Sequence, residues 1–321
     1  MLIVKYLYHR VCIYKRGRSI FMKNKKFISI LLMFVVIVHN PLLSLTKKQT
    51  QSTEKKEKKP KRSRIRKVLG EQRRMVIVTP SYNNATWYRR NIDSIFKQKY
   101  DNYILVYIDD CSTDGTADFV KQLVEEYNQA ERVYLVRNEY RRGALANIYY
   151  AIYTFCNDDD IVVLLDGDDW FKRDSVLITI NEAYKNPHVW LTYGQMQEYP
   201  SRYVGYCKPL DQEIVQQAGY RQAPWCTSHL RTFYAWLFKQ IKYDDFLDSN
   251  GDFLPMAWDM ALMFPMLEMV DGKYKFIEDV LYVYNMYNNL NDNKVDPELQ
   301  RDCEQYIRNK QPYKRLKNKS I

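Results

Sequence analysis

The sequence lacks the short motifs that mark several common kinds of site. Its six cysteines are scattered and no two form a C-x-x-C pair, so neither a zinc site nor a disulfide framework is indicated, and free thiols of a reducing compartment are expected. No G-x-G-x-x-G follows the first apolar strand, which disfavours a dinucleotide site. No G-x-x-x-x-G-K-S/T occurs, which excludes a P-loop. A phosphate-bearing ligand would therefore have to be held by carboxylates and a metal, without a glycine cradle.

A long uninterrupted apolar run is also missing. Residues 27–38 are apolar apart from Ser29 and follow three lysines, but His39, Asn40 and Pro41 interrupt the stretch before it reaches a comfortable membrane-spanning length. The pattern predicts a signal-like or anchor-like segment over residues 1–45, with Met22 as an alternative start. The competing interpretation is an apolar segment that is buried in the protein.

Positive charge is concentrated near the N-terminus. The net charge is +11, but residues 1–67 carry 19 Lys and Arg and 2 Glu, which leaves 30 basic and 36 acidic residues in 68–321. The folded part is therefore mildly acidic, and a nucleic-acid partner is not favoured. Residues 46–73 are interpreted as a basic tether that can contact anionic lipid. We expect membrane association through this N-terminal region and an otherwise cytoplasmic protein.

From residue 74 onward, strand patterns alternate with helix patterns. The apolar runs MVIVTP, YILVYIDD, RVYLVRN and DIVVLLDGDD predict four strands. Between them apolar side chains recur at helical spacing, as at Tyr88, Ile92 and Phe96. The alternation predicts an α/β fold with a mixed, mostly parallel central sheet flanked by helices.

Polar side chains follow each of these predicted strands. They are Ser81 to Asn84, Asp109 and Asp110, Arg137 and Asn138, and Asp166 to Asp169. Ligands of open α/β sheets bind outside the carboxyl ends of the strands, so we expect these side chains to share one crevice. For each group taken alone, a helix cap or a turn is the competing interpretation.

The fourth strand ends in three carboxylates, Asp166, Asp168 and Asp169, within four positions. Like charges this close repel each other unless something offsets the repulsion. Mg²⁺ and Mn²⁺ prefer oxygen ligands, and they typically bind one or two carboxylates together with phosphate oxygens. Gly167 lets the backbone turn closely there. The cluster therefore predicts a divalent-cation site beside a bound diphosphate.

Together these motifs resemble the family 2 glycosyltransferases, inverting enzymes with the GT-A fold. The resemblance runs from about Arg74 to Asn285 and rests on VIVTPSYNNATWYRRNIDSIFKQKYDNYILVYIDDCSTDGT and on LLDGDDW, which matches the family's D-x-D motif. It implies a GT-A domain over residues 74–290, in which 74–170 bind a nucleotide-sugar and 171–290 bind the acceptor. Residues 291–321 would form a polar and basic tail.

The resemblance also implies roles for single residues of the first half. Pro80, Ser81 and Tyr82 would line the nucleobase and ribose, and Asp109 would accept a hydrogen bond from the base, with Asp110 beside it. The other positions implied near the nucleotide are Asn138, Gly143, Asn147, Asp166 and Gly167. Asp168, with Asp166, would hold Mn²⁺ or Mg²⁺ between the phosphates. The sequence departs from the family at EYRR, where another glycine is usual, and VLYVYNMYNNLND lacks the late histidine ligand of many GT-A enzymes.

In the acceptor half, an inverting transfer needs a base that takes the proton of the acceptor hydroxyl. Asp259, early in the predicted helix AWDMALMFPMLE, fits that position, although a helix cap is the alternative. Asp244, Asp245, Asp248 and Asp252 precede it and compete for the role. His229 and Arg231 could contact the diphosphate or the acceptor, with ordinary core and salt-bridge roles as the alternatives. Trp225, Trp236 and Trp258 could stack on sugars, although core packing is the alternative for at least one of them.

The predicted function is a metal-dependent inverting transfer of a sugar from a nucleoside diphosphate, with UDP favoured, to an acceptor hydroxyl on a glycan, a lipid-linked saccharide or a protein. One alternative is a non-catalytic carbohydrate-binding or nucleotide-sugar-binding protein of the same fold. A sugar nucleotidyltransferase is disfavoured because TPSYNN is not a glycine-rich basic loop. An aspartate phosphohydrolase is disfavoured because its D-x-D-x-T/V motif follows the first strand, whereas DGDDW follows the fourth.

Overall fold

The structure, a computed structural model, describes residues 10–15, 18–23 and 71–318. Its strands are β1 Arg10–Lys15, β2 Arg18–Lys23, β3 Met75–Ser81, β4 Tyr103–Asp109, β5 Val133–Asn138, β6 Ile161–Leu164, β7 Trp170–Phe171, β8 Leu191–Tyr199, β9 Thr232–Tyr234 and β10 Tyr274–Asn285. They form one sheet in the order β2-β1-β5-β4-β3-β6-β9-β8-β10-β7. The predicted anchor run 27–38 and residues 46–70 of the predicted tether lie outside the described residues.

Helices cover both faces of this sheet. They are α1 Tyr88–Phe96, α2 Thr116–Glu126, α3 Ala144–Phe155, α4 Val176–Ala183, α5 Gln212–Gln217, α6 Ala235–Phe238, α7 Trp258–Val270, α8 Asp292–Val295 and α9 Pro297–Arg308. In the part of the chain that the structure describes, no helix combines the length and apolar character needed to cross a membrane. The predicted fold class, a mixed and mostly parallel sheet between helices, is confirmed.

The four strands predicted from the sequence, β3, β4, β5 and β6, lie side by side and run parallel. Their side chains are almost all buried, as expected for strands covered on both faces. Alternate residues enter two different cores. Val76 and Val78 pack in the core that includes α3 and α7, whereas Met75 and Ile77 pack in the core that includes α1, α2 and α4.

The remaining strands make the sheet mixed. β9 pairs antiparallel with β6 and β8, while β10 runs parallel to β8 and antiparallel to the short β7. This pairing brings Trp170, directly after the carboxylate cluster, against Val283 near the end of β10. The ends of β8 and β10 from the second half are thereby joined to the D-x-D segment of the first half.

Two parts of the chain differ from the expectation drawn from the sequence. β1 pairs antiparallel with β5, so residues that were assigned to a signal-like segment extend the edge of the sheet. Residues 291–321, expected to be a polar and basic tail, contain α9, which buries Cys303 and Ile307 against the core. The sequence analysis missed this packing role because most of α9 is polar or charged and only one face of the helix is apolar.

A buried ion pair stabilises the packing of this C-terminal segment. Arg221 donates from Nε and Nη2 to the two carboxylate oxygens of Glu268 in α7, at 2.6 and 3.0 Å, and both side chains are buried. Arg221 also donates to the carbonyl of Ile307, and Glu268 accepts the main-chain N–H of Tyr313. The pair therefore connects α7 to the segment on both sides of residue 310.

Candidate active site

The carboxyl ends of the strands open into a polar cavity of about 730 Å³. Register brings the strand ends level, because Ser81 is paired with Asp109 and Asp109 with Arg137. Thirteen of the residues to which the sequence analysis gave individual site roles line the cavity, namely Pro80, Ser81, Tyr82, Asp110, Gly143, Asn147, Asp166, Asp168, Trp225, His229, Arg231, Trp258 and Asp259. Asp109, Asn138 and Gly167 lie behind this wall and support it.

Gly167 permits a close approach between two strand ends. A Cβ atom at this position would lie 2.6 Å from Cβ and Oγ of Ser81, which no real side chain tolerates. The amide of Gly167 donates to the carbonyl of Pro80 at 3.0 Å. Ser81 is itself fixed, since its Oγ accepts from the Tyr107 hydroxyl at 2.7 Å and from the Asn84 amide at 2.9 Å. Any larger residue at 167 would push the D-x-D turn away from β3.

Asp110 is held by a dense set of hydrogen bonds. Its carboxylate accepts from the Asn138 side chain at 2.8 Å and from the main-chain N–H groups of Arg142 and Gly143 at 2.9 Å each. Burial alone would raise the pKa of Asp110, but hydrogen bonds from Asn147, Asn138 and these two amides lower it below its usual value. Asp110 therefore stays ionised and fixes the RNEYRRGALAN loop.

Asp109 behaves differently although it is adjacent. Its Oδ2 accepts the Ser112 amide at 3.1 Å, and its Oδ1 is buried without a hydrogen-bond partner in the described chain. Burial raises the pKa of Asp109, opposed by the hydrogen bonds from Ser112. An unpartnered buried carboxylate oxygen is rare and suggests that a further donor belongs there.

Arg141, which the sequence analysis did not single out, covers Tyr82. Its guanidinium carbon is 3.5 Å from the centroid of the Tyr82 ring, a cation–π contact, and its Nε donates to Asp110 at 3.2 Å. The arginine lies in EYRR, the stretch that departs from the family pattern. A basic side chain replacing an expected glycine was the signal that could have revealed it.

The three carboxylates of the D-x-D segment have separate surroundings. Asp169 is fully buried and accepts from the Tyr282 hydroxyl at 2.5 Å and the Asn285 amide at 2.7 Å. Asp168 accepts from the Asn288 side chain at 2.7 Å and faces the cavity. Asp166 also faces the cavity, 3.4 Å from the Tyr282 hydroxyl. The repulsion is thus only partly offset by protein donors.

The protonation of these groups reflects that remaining repulsion. Burial, then the negative charge of Asp168, raises the pKa of Asp166 to about 7, and Arg231 opposes the rise. Burial raises the pKa of Asp168, opposed by the hydrogen bond from Asn288. Burial and the charges of its two neighbours hold the pKa of Asp169 well above its usual range. Such a site favours a proton or a cation.

His229 lies beside the carboxylates rather than at a distance from them. Ligand-capable atoms of His229, Asp166 and Asp169 lie within 4.8 Å of one another. Its ring stacks on Tyr282 with centroids 4.3 Å apart. Burial and the charge of Arg231 hold the pKa of His229 well below its usual value, so the imidazole is neutral and can accept a hydrogen bond or bind a metal.

Asp259 lies in the first turn of α7, where the opposite wall of the cavity begins. Arg231 donates to its Oδ2 at 2.7 Å, and the Met260 amide donates to its Oδ1 at 2.9 Å. The Arg231 guanidinium also lies 5.4 Å over the Trp258 ring and donates to Ser228. Asp244, Asp245, Asp248 and Asp252, which compete for the base role, are not among the residues that line this cavity.

Several site residues come from the end of β10 and the segment that follows it, and the sequence analysis gave them no role. Asn288 contacts Asp168, and Asn285 binds Asp169 and donates to the carbonyl of Asp168 at 3.2 Å. Asp292 lines the cavity, and its pKa is raised to about 6 by burial and by the charges of Asp259 and Asp168. The repeated asparagines in YNMYNNLND were the available signal.

An open, mostly parallel α/β sheet with clustered carboxylates at the carboxyl ends of its strands places a polar crevice where proteins of this architecture bind their ligands. The chain belongs to glycosyl transferase family 2, because the family's sequence profile matches residues 76–245, more than half of the chain. It is similar to the Bacillus subtilis (strain 168) protein TuaG, named for teichuronic acid biosynthesis, with 32% identity over 31% of this chain and 38% of TuaG.

Two further comparisons extend this picture. WfgD of Escherichia coli, named as a UDP-Glc:α-D-GlcNAc-diphosphoundecaprenol β-1,3-glucosyltransferase, is 30% identical over 38% of this chain and 45% of WfgD. The S. aureus TarS 1–349 structure in complex with UDP-GlcNAc superposes with a TM-score of 0.53 at 19% identity, over 73% of this chain and 65% of TarS. The sequence matches thus span less than half of TuaG and of WfgD, and the TarS likeness concerns the fold.

Proposed function

We propose that this protein transfers a sugar from a nucleoside diphosphate to a hydroxyl of a glycan acceptor, with inversion at the anomeric carbon. One observation carries the proposal: a single cavity joins Tyr82, Asp110 and Asp168 of the nucleotide half to Asp259 of the acceptor half. An enzyme of this kind must hold the donor's leaving group and the acceptor's hydroxyl on opposite sides of the transferred sugar.

UDP is the favoured nucleotide. TarS was solved with UDP-GlcNAc and with UDP, and the name of WfgD specifies UDP-Glc as its donor. In this chain, Pro80, Ser81 and Tyr82 would contact the base and ribose. The unpartnered Oδ1 of Asp109 would accept a hydrogen bond from the N–H of the base, with Asp110 beside it. The Asn138, Gly143 and Asn147 network would support that wall, and Asp166 would reach the ribose.

A divalent cation fits the residues that are present. The D-x-D carboxylates retain repulsion that protein donors do not offset, and their free oxygens are the hard ligands that Mn²⁺ and Mg²⁺ prefer. Asp168 and Asp166 would hold it, and the neutral His229 would assist from beside Asp166, because ligand-capable atoms of Asp166, Asp169 and His229 lie within 4.8 Å of one another. Such a cation neutralises the charge that develops on a departing diphosphate. Asp169 is fully engaged by Tyr282 and Asn285 and would orient the segment.

Asp259 would act as the general base. Its carboxylate faces the cavity, and Arg231 together with the Met260 amide fixes its orientation. When the acceptor hydroxyl attacks the anomeric carbon, Asp259 would take its proton, and the glycosidic bond would form opposite the breaking bond to the diphosphate. Arg231 would hold the protonated or ionised carboxyl in place through the step. Trp225 and Trp258 would contact the sugars from the cavity wall.

The acceptor is proposed to be a glycan, either lipid-linked or attached to a protein. WfgD is named for a diphosphoundecaprenol-linked acceptor, which supports a lipid-linked saccharide as the first choice. The apolar run 27–38 and the basic segment 46–67 are consistent with work at a membrane surface. Membrane association remains a prediction from sequence.

The test is release of UDP from UDP-sugars by the full chain with Mn²⁺ and a panel of saccharide acceptors. We expect acceptor-dependent release, abolished by EDTA. Asp168→Asn should weaken Mn²⁺-dependent UDP binding, whereas Asp101→Asn, an exposed carboxylate elsewhere, should not. If wild type binds UDP tightly but no acceptor gives turnover, the non-catalytic alternative is favoured. If Asp168→Asn binds UDP and Mn²⁺ as well as wild type, the metal site is placed incorrectly.

A further inference from the structure

Four aromatic rings and one arginine form a cluster outside the cavity described above. They are Trp87, Trp170, Tyr199, Tyr287 and Arg90, which we call the aromatic–arginine cluster. Trp87 lies 6.2 Å from Tyr199 and 6.1 Å from Tyr287, and Trp170 lies 5.3 Å from Tyr199, all in edge-to-face geometry. Because the five residues come from four separate segments, only the folded chain brings them together.

The cluster is adjacent to the catalytic carboxylates along the chain. Trp170 comes two residues after Asp168, and Tyr287 immediately precedes Asn288, whose side chain donates to Asp168 at 2.7 Å. Tyr199 directly follows a glutamate that lines the main cavity. Tyr287 also lies between Met286 and Asn288, which both line the main cavity, so the cluster borders that cavity. Tyr287 is 66% exposed, so its ring is open to a ligand.

Arg90 is a cation without a carboxylate partner in the described part of the chain. Its guanidinium carbon lies 5.0 Å from the Tyr199 ring, 5.2 Å from Trp170 and 5.9 Å from Trp87. The neighbouring Arg89, by contrast, pairs with Glu126 at 3.6 Å. Aromatic faces attract a guanidinium but do not neutralise it, so Arg90 keeps its fork of donors for an anion.

The groove beside the cluster is basic. It has a volume of about 350 Å³ and is lined by four basic and two acidic side chains, Arg90 among them. Lys172, another of these, donates to Gln197 and has no carboxylate within ion-pair distance among the described residues. The main cavity has the opposite character, with seven carboxylates and two arginines in its lining. A ligand spanning both would place its negative charge in the groove.

We propose that the aromatic–arginine cluster and this groove bind a second sugar unit of the acceptor glycan, one that carries a negative charge as a carboxylate or a phosphate. Aromatic rings present flat apolar faces to a pyranose, and the arginine fork matches the paired oxygens of a carboxylate or phosphate. The inference rests on the proposed function, because it assigns the cluster to the acceptor. It adds the requirement that the acceptor carries a negative charge, which the mainly acidic lining of the main cavity would not favour.

The experiment measures saccharide binding to the full chain by tryptophan fluorescence at low salt. The probes are tetragalacturonic acid for carboxylates, phosphopentamannose for phosphates and cellotetraose as a neutral sugar. Wild type is expected to bind at least one anionic probe about tenfold more tightly than cellotetraose, with an affinity that falls as salt is added. Whichever anionic probe binds more tightly identifies the charged group.

Arg90→Gln should weaken binding of that probe about tenfold or more, the scale of losing charge-assisted hydrogen bonds. The matched control, Arg89→Gln, should leave it unchanged. Tyr287→Ala, at an exposed position that does not threaten folding, should weaken binding of the same probe, whereas the similarly exposed control Tyr203→Ala should not. UDP binding with Mn²⁺ is measured in parallel and should be unchanged in Arg90→Gln.

The proposal is overturned if neither anionic probe binds below about 10 mM, or if Arg90→Gln and Arg89→Gln bind both probes alike. Equal binding of cellotetraose and the anionic probes also overturns it, because the charge would then play no part. If wild type does not bind UDP, the proposed function is refuted. The saccharide binding of wild type and Arg90→Gln then still decides whether the cluster binds an anionic sugar. The two failures are therefore distinguishable.

Discussion

Arg231 donates a 2.7 Å hydrogen bond to Oδ2 of Asp259, and the arginine is 2% exposed while the aspartate is 21% exposed. Arg231 immediately precedes β9 and Asp259 lies in the first turn of α7, so the contact fixes the start of this helix to the central sheet. The buried Arg231 restrains the half-buried Asp259, which is thereby presented to the cavity in one orientation. Truncating either side chain should therefore release the other from this orientation.

Asp259→Asn tests the general base. The amide keeps the shape and can still meet Arg231 through its carbonyl oxygen, but it cannot accept the acceptor's proton. We expect UDP binding within error of wild type and transfer lowered about 10²-fold or more. Steady-state UDP release with acceptor gives the rate. Asp252→Asn is the matched control in the nearby loop and should retain full activity; near-normal turnover in Asp259→Asn would exclude it as the base.

Asn288→Ala tests the support of the cation site. Its side chain donates to Oδ2 of Asp168, and this hydrogen bond opposes the rise of the Asp168 pKa caused by burial. Without it Asp168 competes less well for a cation, and we expect Mn²⁺ affinity to fall roughly 10- to 100-fold, the usual scale for a lost outer partner of a metal ligand. Calorimetric titration of Mn²⁺ with UDP present measures this. Asn309→Ala, an exposed control, should match wild type, and equal Mn²⁺ affinities in all three proteins would contradict the assignment.

Asp110→Asn tests pH-dependent stability. Because hydrogen bonds lower the folded-state pKa of Asp110, its stabilisation is fully present above the unfolded-state value near 4 and is lost as pH falls through the folded-state value. At pH 7 we expect the variant to be less stable by about 1–3 kcal/mol. The difference should shrink below about pH 4, as measured by urea unfolding at a series of pH values. A difference that is the same at pH 7 and pH 3.5 would contradict this account.

Glu268→Gln tests the buried ion pair that holds the C-terminal segment. The change removes the negative charge that pairs with the buried Arg221 guanidinium. We therefore expect the free energy of unfolding to fall by about 3–5 kcal/mol. Urea denaturation provides the measurement. The control is Glu126→Gln, which removes an exposed pair with Arg89 and should leave stability unchanged within error. Equal effects of the two changes would show that the buried pair is not needed to hold the segment.

The first half of the fold could be predicted from local patterns. Apolar runs of strand length alternate with helical spacing there, and β3, β4, β5 and β6 form the parallel core as expected. The position of the crevice could also be predicted from the sequence, because parallel strands bring the polar residues at their carboxyl ends to one edge of the sheet. The family and its fold class were confirmed, while the catalytic roles of single residues stay predictions.

The second half of the fold was less predictable because its contacts join residues far apart in the chain. Asn288 meets Asp168 across 120 positions, and Tyr282 meets Asp169 across 113. His229 was considered only for the diphosphate or the acceptor, since nothing near it in sequence shows that it lies beside Asp166 and Asp169. The helix α9 was missed because a charged amphipathic segment at a chain end resembles a solvated tail.

By itself, the sequence determined that an acidic α/β domain follows a basic N-terminal region, and that carboxylates end the fourth predicted strand. Both are consequences of residue order, since period and charge are local properties. Only the tertiary structure decided what surrounds those carboxylates: which is fully hydrogen-bonded, which faces the cavity, and that Arg231 restrains Asp259. Those outcomes depend on strand register and long-range packing, which no local pattern encodes.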